Sequence, residues 1–167
     1  INLRTGRFHE PDPDKLMTMQ APVAYTPNAE APRWTQALTE WFPDEEVRSY
    51  VQRLSGHATA GDPPGDHAFA IHYGDGRNGK GTYMRAHKHV LGPYYVTPDK
   101  SLLIQKHHEQ HATVKARLFR TRLAVASETE QRERLNEAQV KNLTGGDPIN
   151  ARRMREDEWE FEPTHSL

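Results

Sequence analysis

Residues 74–82, with the sequence GDGRNGKGT, combine glycines and one lysine at the spacing of a phosphate-binding loop. Glycine residues let backbone N–H groups point at phosphate oxygens, because no Cβ obstructs the approach. A lysine after the last loop glycine can bridge the β- and γ-phosphates of a nucleotide. The pattern therefore predicts a nucleotide-binding loop. Its predicted ATP-binding residues are Gly74, Asp75, Gly76, Arg77, Asn78, Gly79, Lys80, Gly81 and Thr82.

One position departs from the usual pattern. The residue after the lysine is ordinarily Ser or Thr, whose hydroxyl binds Mg²⁺, whereas this chain has Gly81 followed by Thr82. Two interpretations stay open: Thr82 reaches the metal, or a water molecule replaces the hydroxyl. A glycine-rich hairpin turn with no ligand is the simpler structural alternative.

Two carboxylates follow an apolar segment and are candidates for catalysis. Glu128 comes directly after TRLAVAS, and Glu130 lies two residues further on. A nucleotide hydrolase needs an acidic residue near the loop to orient Mg²⁺ and the attacking water. We therefore predict Lys80, Glu128 and Glu130 as catalytic residues, with Thr82 and Glu128 at the metal. The alternative for both glutamates is a solvated helix N-terminus, where negative charge is favourable.

Secondary structure must place these residues together. The short apolar alternation HAFAIHYG predicts a strand over 67–74, immediately before the glycine loop. A helix is predicted from about Lys80 to Leu91, and a second buried strand over 121–127. An amphipathic helix is predicted from about Glu130 to Leu143.

The N-terminal part has a different character. Residues 1–32 are rich in proline, which predicts extended segments and turns. PRWTQALTEWF predicts one helix, and DEEVRSYVQRLSG predicts a second that begins after Asp44 and ends at Gly56. The Gly- and Pro-rich stretch that follows indicates a boundary. We predict two units, residues 1–60 and residues 61–167.

Residues 148–163 alternate on both sides of a charged turn, which predicts a β-hairpin. Exposed arginines on such a ribbon are suited to DNA phosphates. The predicted DNA-binding residues are Lys141, Arg152, Arg153 and Arg155. Alternatively, the acidic residues of the return strand neutralise these arginines within the hairpin. Trp159 either stacks on a base or, as is more usual in a strand, packs against the protein.

Four segments together resemble the phage and plasmid primase–helicase family, whose motor belongs to the superfamily 3 helicases. They are YGDGRNGKGT, LAVASETE, LNEAQVKNLTGGDPINARRM and the opening LRTGRFHEPDPD…VAYTPNAEAPRW. The resemblance implies an α/β fold: an AAA+-type P-loop NTPase core with a central sheet flanked by helices, after a mostly helical N-terminal lobe. It also implies ATP and Mg²⁺ as cofactors, single-stranded DNA as a partner, and assembly into a ring, commonly a hexamer. Residues 74–82 would be the Walker A motif, and the strand ending at Glu128 the Walker B motif.

The family also carries a sensor asparagine and an arginine finger, both expected beyond Leu167. The resemblance therefore implies a motor that is incomplete at its C-terminus, with a primase domain or other replication proteins as partners. An arginine finger typically contributes about 10³–10⁵ in rate.

A histidine cluster, His107, His108 and His111, invites a zinc interpretation. The spacing does not match the metalloprotease motif, so solvated histidines on a surface helix are the preferred interpretation. A different interpretation of this region is that its basic residues form an edge that faces a neighbouring subunit or a nucleotide. These residues are Lys115, Arg117, Arg120 and Arg122.

Composition limits the setting of the protein. The chain of 167 residues has no cysteine, so it has neither disulfides nor thiolate metal sites. Its net charge of −1 means that any DNA contact must come from a local patch. No secretory signal or membrane-length apolar run is present, and we expect a cytoplasmic protein of a bacterial host.

The function predicted from the sequence is ATP-driven DNA unwinding in phage or plasmid replication. A small-molecule P-loop kinase is one alternative. A non-catalytic module that binds DNA or partner subunits is the other.

Overall fold

A computed structural model describes residues 2–3, 5–61, 67–105, 112–126 and 133–167. This part of the chain combines helices with two small sheets. The α-helices are α1 (Pro32–Trp41), α2 (Glu45–Ala60), α3 (Lys80–Leu91), α4 (Ala112–Ala116) and α5 (Glu137–Thr144). The strands are β1 (Tyr95–Val96), β2 (Leu123–Ala124), β3 (Ile149–Arg152) and β4 (Glu158–Phe161). Short 3₁₀ helices cover Pro13–Lys15, Gly92–Tyr94 and Lys100–Leu102.

The first two helices form where the sequence predicts them. Pro32 occupies the first turn of α1, and the Asp44 carboxylate caps α2 by accepting from the N–H groups of Glu46 and Val47. The predicted end of α2 at Gly56 is wrong, because the helix continues to Ala60. It stops at Gly61, which adopts the left-handed conformation that terminates many helices.

The first small sheet pairs β1 with β2 in parallel, in the register Tyr95 to Leu123 and Val96 to Ala124. Ser166 continues this ladder, since it forms a parallel bridge to Leu123 on β2. Leu167, next in the chain, accepts a hydrogen bond from the Ala70 N–H. Backbone hydrogen bonds therefore link β1, β2, the segment at 166–167 and Ala70, in that spatial order.

Three sequence predictions differ from the structure in this region. The described residues 67–75 form no strand, and Ile71 and Tyr73 are exposed rather than buried. The second predicted strand is limited to β2, with Ser127 outside the described residues. The helix predicted from Glu130 begins only at Glu137, because the Asn136 side chain caps it by accepting from the Gln139 N–H. The P-loop fold class stays a prediction.

The second sheet is the predicted hairpin, with β3 and β4 antiparallel. Its residues alternate as a half-buried ribbon requires: Ile149 and Ala151 are buried, while Asn150 and Arg152 are exposed. The buried face joins the main core, which also includes residues of β2 and α5. That core consists of Leu102, Leu103, Leu118, Ala124, Leu143, Ile149, Ala151 and Phe161.

A second apolar cluster joins the N-terminal helices to α3. Leu38 of α1, Val51 of α2 and Tyr83 of α3 are its buried members. Trp34, Trp41, Phe42 and Met84 pack against them. The helix that follows the glycine loop is therefore anchored on the N-terminal helices.

The longest helix of the structure, α2, has 16 residues. Among the described residues, no helix has both the length and the apolar character needed to cross a bilayer.

Candidate functional site

Lys80 lies at the centre of the glycine loop, at the first position of α3. Its ammonium donates to the backbone oxygens of Gly74 and Asp75, at 2.6 and 2.9 Å. It also donates to the Asn78 Oδ1 at 3.0 Å. The side chain is therefore folded over the loop, with its three N–H donors directed at loop oxygens, and would contact a bound anion only by exchanging one of these hydrogen bonds.

The loop backbone bends through conformations that favour glycine. Gly79 has φ +91° and Gly74 has φ +147°. Gly79 is also the N-cap of α3 and has no side chain to cap it. The Asn78 Oδ1 accepts from the Lys80 N–H at 3.5 Å, and the following N–H groups of the first turn are available to an anion. Arg77, at φ +62°, takes the same left-handed region without being glycine. The turn thus combines a lysine, an uncapped helix start and strained backbone.

Trp41 covers the loop from the N-terminal side. A Cβ built on Gly79 would lie 2.3–2.5 Å from three atoms of the Trp41 indole. Glycine is therefore required at position 79 both by the backbone and by the tryptophan. The last residue of α1 contacts the loop directly.

Behind the loop, rings pack around Tyr83 on α3. The Tyr83 ring stacks on Trp34 at 5.8 Å and lies 4.4 Å from the His87 ring, centroid to centroid. The Tyr83 hydroxyl is 2.6 Å from the Ser55 Oγ, which ties α3 to α2. Burial raises the pKa of Tyr83, partly offset by the hydrogen bond to Ser55.

His72 approaches this cluster from the segment before the loop, with its ring 5.6 Å from that of Tyr83. Burial lowers the pKa of His72, and the positive charges of His87 and Lys80 lower it further. The His72 ring therefore lies within electrostatic range of Lys80. The sequence reasoning missed His72, although its alternation within HAFAIHYG was a usable signal.

Thr82, the predicted metal ligand, is exposed and already hydrogen-bonded. Its Oγ1 accepts from the Arg85 Nη2 at 2.9 Å. The sequence reasoning also missed Arg85, although residues three apart on a helix are neighbours on its surface. Arg85 thus adds a second cation at the start of α3.

The predicted carboxylates Glu128 and Glu130 lie outside the described residues, and so do His107, His108 and His111. The chain is described as far as Ala126, two residues before Glu128. Two members of the predicted basic edge make internal contacts. Arg120 donates to the Thr18 hydroxyl at 2.9 Å, and the Arg122 guanidinium lies 5.6 Å from the centre of the Tyr94 ring.

The hairpin presents the predicted DNA-binding arginines together on its exposed side and tip. Arg152, Arg153 and Arg155 are all exposed. Arg152 lies opposite Glu158 in the ladder, and Arg153 forms an ion pair with Glu156 at 3.6 Å. One arginine is thus paired with a carboxylate of the turn, while Arg152 and Glu158 are cross-strand neighbours; whether the return strand neutralises the ribbon stays a prediction.

Trp159 and Lys141 fall in different settings. The Trp159 ring packs edge-on against Phe119 at 4.7 Å and lies 5.1 Å from the Phe161 ring. Packing is therefore the observed role of this tryptophan. Lys141 is exposed on α5, whose Leu143 shares the main core with the hairpin.

Comparison with known proteins relates this site to a family. Residues 72–167, more than half of the chain, match the model of the "Family of unknown function (DUF5906)". The chain belongs to this family. The DUF5906 region begins at His72, so it contains the whole glycine loop, α3 and the hairpin. Residues 1–43 match a second model, described as "D5 N terminal like", and this region ends just after Trp41.

The DUF5906 chain is also similar to a viral protein over nearly all of its length. The protein, from Acanthamoeba polyphaga mimivirus, is named "Putative helicase L207/L206". The two are 24% identical over 169 residues, which cover 98% of this chain and 18% of the viral protein. Together with the D5 N-terminal-like match, this similarity confirms the predicted relation to phage primase–helicases only coarsely, as a relation to a viral protein named as a putative helicase. The chain spans less than a fifth of the length of that relative.

Proposed function

We propose that the glycine loop is a P-loop that binds the phosphates of ATP, and that the chain is part of the motor of a replication helicase. The observation that carries the proposal is the position of Lys80. Its ammonium is held over the loop by Gly74, Asp75 and Asn78, at the uncapped start of α3. A cation, glycine backbone and a helix N-terminus converging on one point are suited to a polyphosphate.

The backbone pairing supports an α/β P-loop core. β1, β2 and the segment at 166–167 are neighbours, and Ala70 joins them four residues before Gly74. We propose that these short pieces belong to the central sheet of such a core, with the loop following its last member.

We propose that Glu128 orients Mg²⁺ and the attacking water, with Glu130 as a second candidate. Both follow β2, the strand that pairs with β1 and with Ser166. In P-loop hydrolases an acidic residue near the phosphates does this work. Thr82, engaged by Arg85, would share the metal only after that hydrogen bond changes.

The similarity to a protein named as a helicase supports the proposal that ATP hydrolysis drives DNA unwinding. We propose that the chain assembles into a homo-oligomeric ring, such as a hexamer, that acts on single-stranded DNA. A primase domain or other replication proteins would work with it. The exposed arginines of the hairpin and Lys141 would contact DNA phosphates. The Arg153–Glu156 pair does not prevent this, because both side chains are more than half exposed and such pairs are weak.

ATP hydrolysis measured with and without single-stranded DNA tests this function. We expect the wild-type chain to hydrolyse ATP faster when DNA is present. Lys80→Ala should lose both ATP binding and turnover. Glu128→Gln should still bind ATP but should not turn it over. Lys88→Ala is the matched control, since it removes a lysine from the exposed last turn of the same helix.

Three results would contradict this assignment. Turnover in Glu128→Gln would move the catalytic role to Glu130 or elsewhere. Turnover that ignores DNA and requires a small acceptor would favour the kinase alternative. Binding of ATP or DNA with no turnover would favour the non-catalytic module.

A further inference from the structure

Arg85 reaches back from the second turn of α3 to the start of the helix. Its Nη2 donates to the Thr82 Oγ1 at 2.9 Å. Its Nη1 lies 3.4 Å from the point that a Cβ on Gly81 would occupy. Position 81 is where a P-loop usually carries its metal-binding Ser or Thr. The guanidinium therefore lies beside the place of the missing hydroxyl.

The charge around Arg85 is unbalanced. Helix α3 contains no Asp or Glu, and Lys80 adds a second cation at the same end. Within the described ranges, no carboxylate lies within 4 Å of the Arg85 guanidinium. A helix N-terminus carries partial positive charge and favours anions rather than cations. Two cations held at this end are therefore suited to a strongly negative ligand.

Arg85 also affects the metal site expected at Thr82. The guanidinium places a positive charge within hydrogen-bond distance of the Thr82 oxygen. A divalent cation at that same oxygen would be repelled, because like charges this close interact strongly. Thr82 is thus a poorer Mg²⁺ ligand than the sequence pattern predicts.

We propose that Arg85 is a phosphate-binding residue of the glycine loop. It contacts the phosphate tail of a nucleoside triphosphate and supplies part of the charge neutralisation that Mg²⁺ provides in other P-loops. The planar guanidinium can donate two N–H groups to one phosphate, which an ammonium cannot do in the same geometry. This inference rests on the proposed nucleotide binding.

Binding of fluorescently labelled ATP, measured in Mg²⁺ and in EDTA, tests the proposal on the whole chain. We expect the wild-type chain to keep measurable affinity in EDTA. In Arg85→Gln, loss of a charge-assisted hydrogen bond should weaken binding in EDTA about tenfold or more. The loss should be smaller in Mg²⁺, where the metal replaces part of the charge.

Three further variants separate a local role from a general one. Arg85→Lys should retain part of the affinity in EDTA. Gly81→Ser supplies the usual hydroxyl and crowds the guanidinium, so it should make binding more dependent on Mg²⁺. Lys88→Gln removes the same charge from the other end of α3 and should leave binding in EDTA unchanged.

Two results would overturn the role of Arg85 alone. One is Arg85→Gln binding labelled ATP in EDTA as tightly as the wild-type chain, while Lys80→Ala abolishes binding. The other is an equal loss in Lys88→Gln. No binding by the wild-type chain in either condition would instead overturn the proposed function, and the role of Arg85 with it.

Discussion

The indole of Trp41 lies against Gly79, so that a single added methyl group on the glycine would overlap the ring. Trp41 ends α1, in the region that matches the D5 N-terminal-like model, while Gly79 belongs to the DUF5906 region. The two matched regions therefore meet at the glycine loop. Any movement of the loop must move the tryptophan or break this contact.

Gly79→Ala should destabilise the chain and weaken ATP binding. The left-handed backbone at φ +91° disfavours alanine, and the methyl group would displace the indole. Together these effects should lower the free energy of unfolding by roughly 2–5 kcal/mol, measured by urea denaturation. Gly56→Ala is the matched control, because Gly56 is exposed within α2 with nothing within 4 Å of the added methyl. That variant should be about 1 kcal/mol more stable, and equal stability of the two variants would contradict the argument.

Trp41 should report nucleotide binding through its fluorescence. If phosphates draw the loop together around Lys80, the environment of the indole against Gly79 changes. Titration of the wild-type chain with ATP should change its tryptophan emission, and Trp41→Phe should lose most of that change. Trp159→Phe should keep it, since Trp159 lies on β4 of the hairpin and packs against Phe119. A signal that survives in Trp41→Phe would assign the change to another tryptophan and contradict this prediction.

The helices and the hairpin could be predicted from the sequence because their signals are local. Asp44 caps α2 through its own side chain, and the alternation from Ile149 to Phe161 specifies which hairpin face is buried. The strand at 67–74 was predicted wrongly because Ile71 and Tyr73 look like core residues but face solvent.

The contacts within the site were harder to predict, because they join distant parts of the chain. Nothing local to Gly79 indicates that the indole of Trp41 covers it. The contact of Arg85 with Thr82 also depends on a side-chain conformation rather than on a motif. Lys80 could be singled out from the sequence because the glycine pattern around it lies within nine consecutive residues, 74–82.

The acidic strand of the hairpin should restrain DNA binding. Arg152 and Glu158 are direct cross-strand partners on the exposed face, where the carboxylate offsets the charge available to a phosphate. Arg152→Gln should weaken single-stranded DNA binding and reduce the salt dependence by about 0.7 in the log–log slope. Glu158→Gln should strengthen binding. Fluorescence anisotropy over a salt series measures the affinity and the slope for each variant. If Arg152→Gln has the same slope as the wild-type chain, Arg152 does not contact DNA.

His165 should make the chain less stable in mild acid. Its side chain is 2% exposed, and neither ring nitrogen has a well-formed hydrogen bond. Burial lowers the pKa of His165 to about 4, only partly offset by the backbone of Leu143. In the unfolded chain the pKa is about 6.5, so between pH 6.5 and pH 4 the unfolded state binds the proton more readily.

Above pH 6.5 the protonation of His165 should therefore not change the free energy of unfolding. As the pH drops to about 4, it should lower that free energy by roughly 3 kcal/mol. Urea denaturation of the wild-type chain and of His165→Leu at several pH values measures the difference, and subtraction removes the contribution of the carboxylates. The stability of His165→Leu should depend less on pH across this window. His9→Gln, at an exposed position outside the helices and strands, is the matched control. Parallel curves for wild type and His165→Leu would mean that His165 is protonated without cost, and that its imidazole reaches water or a hydrogen-bond acceptor.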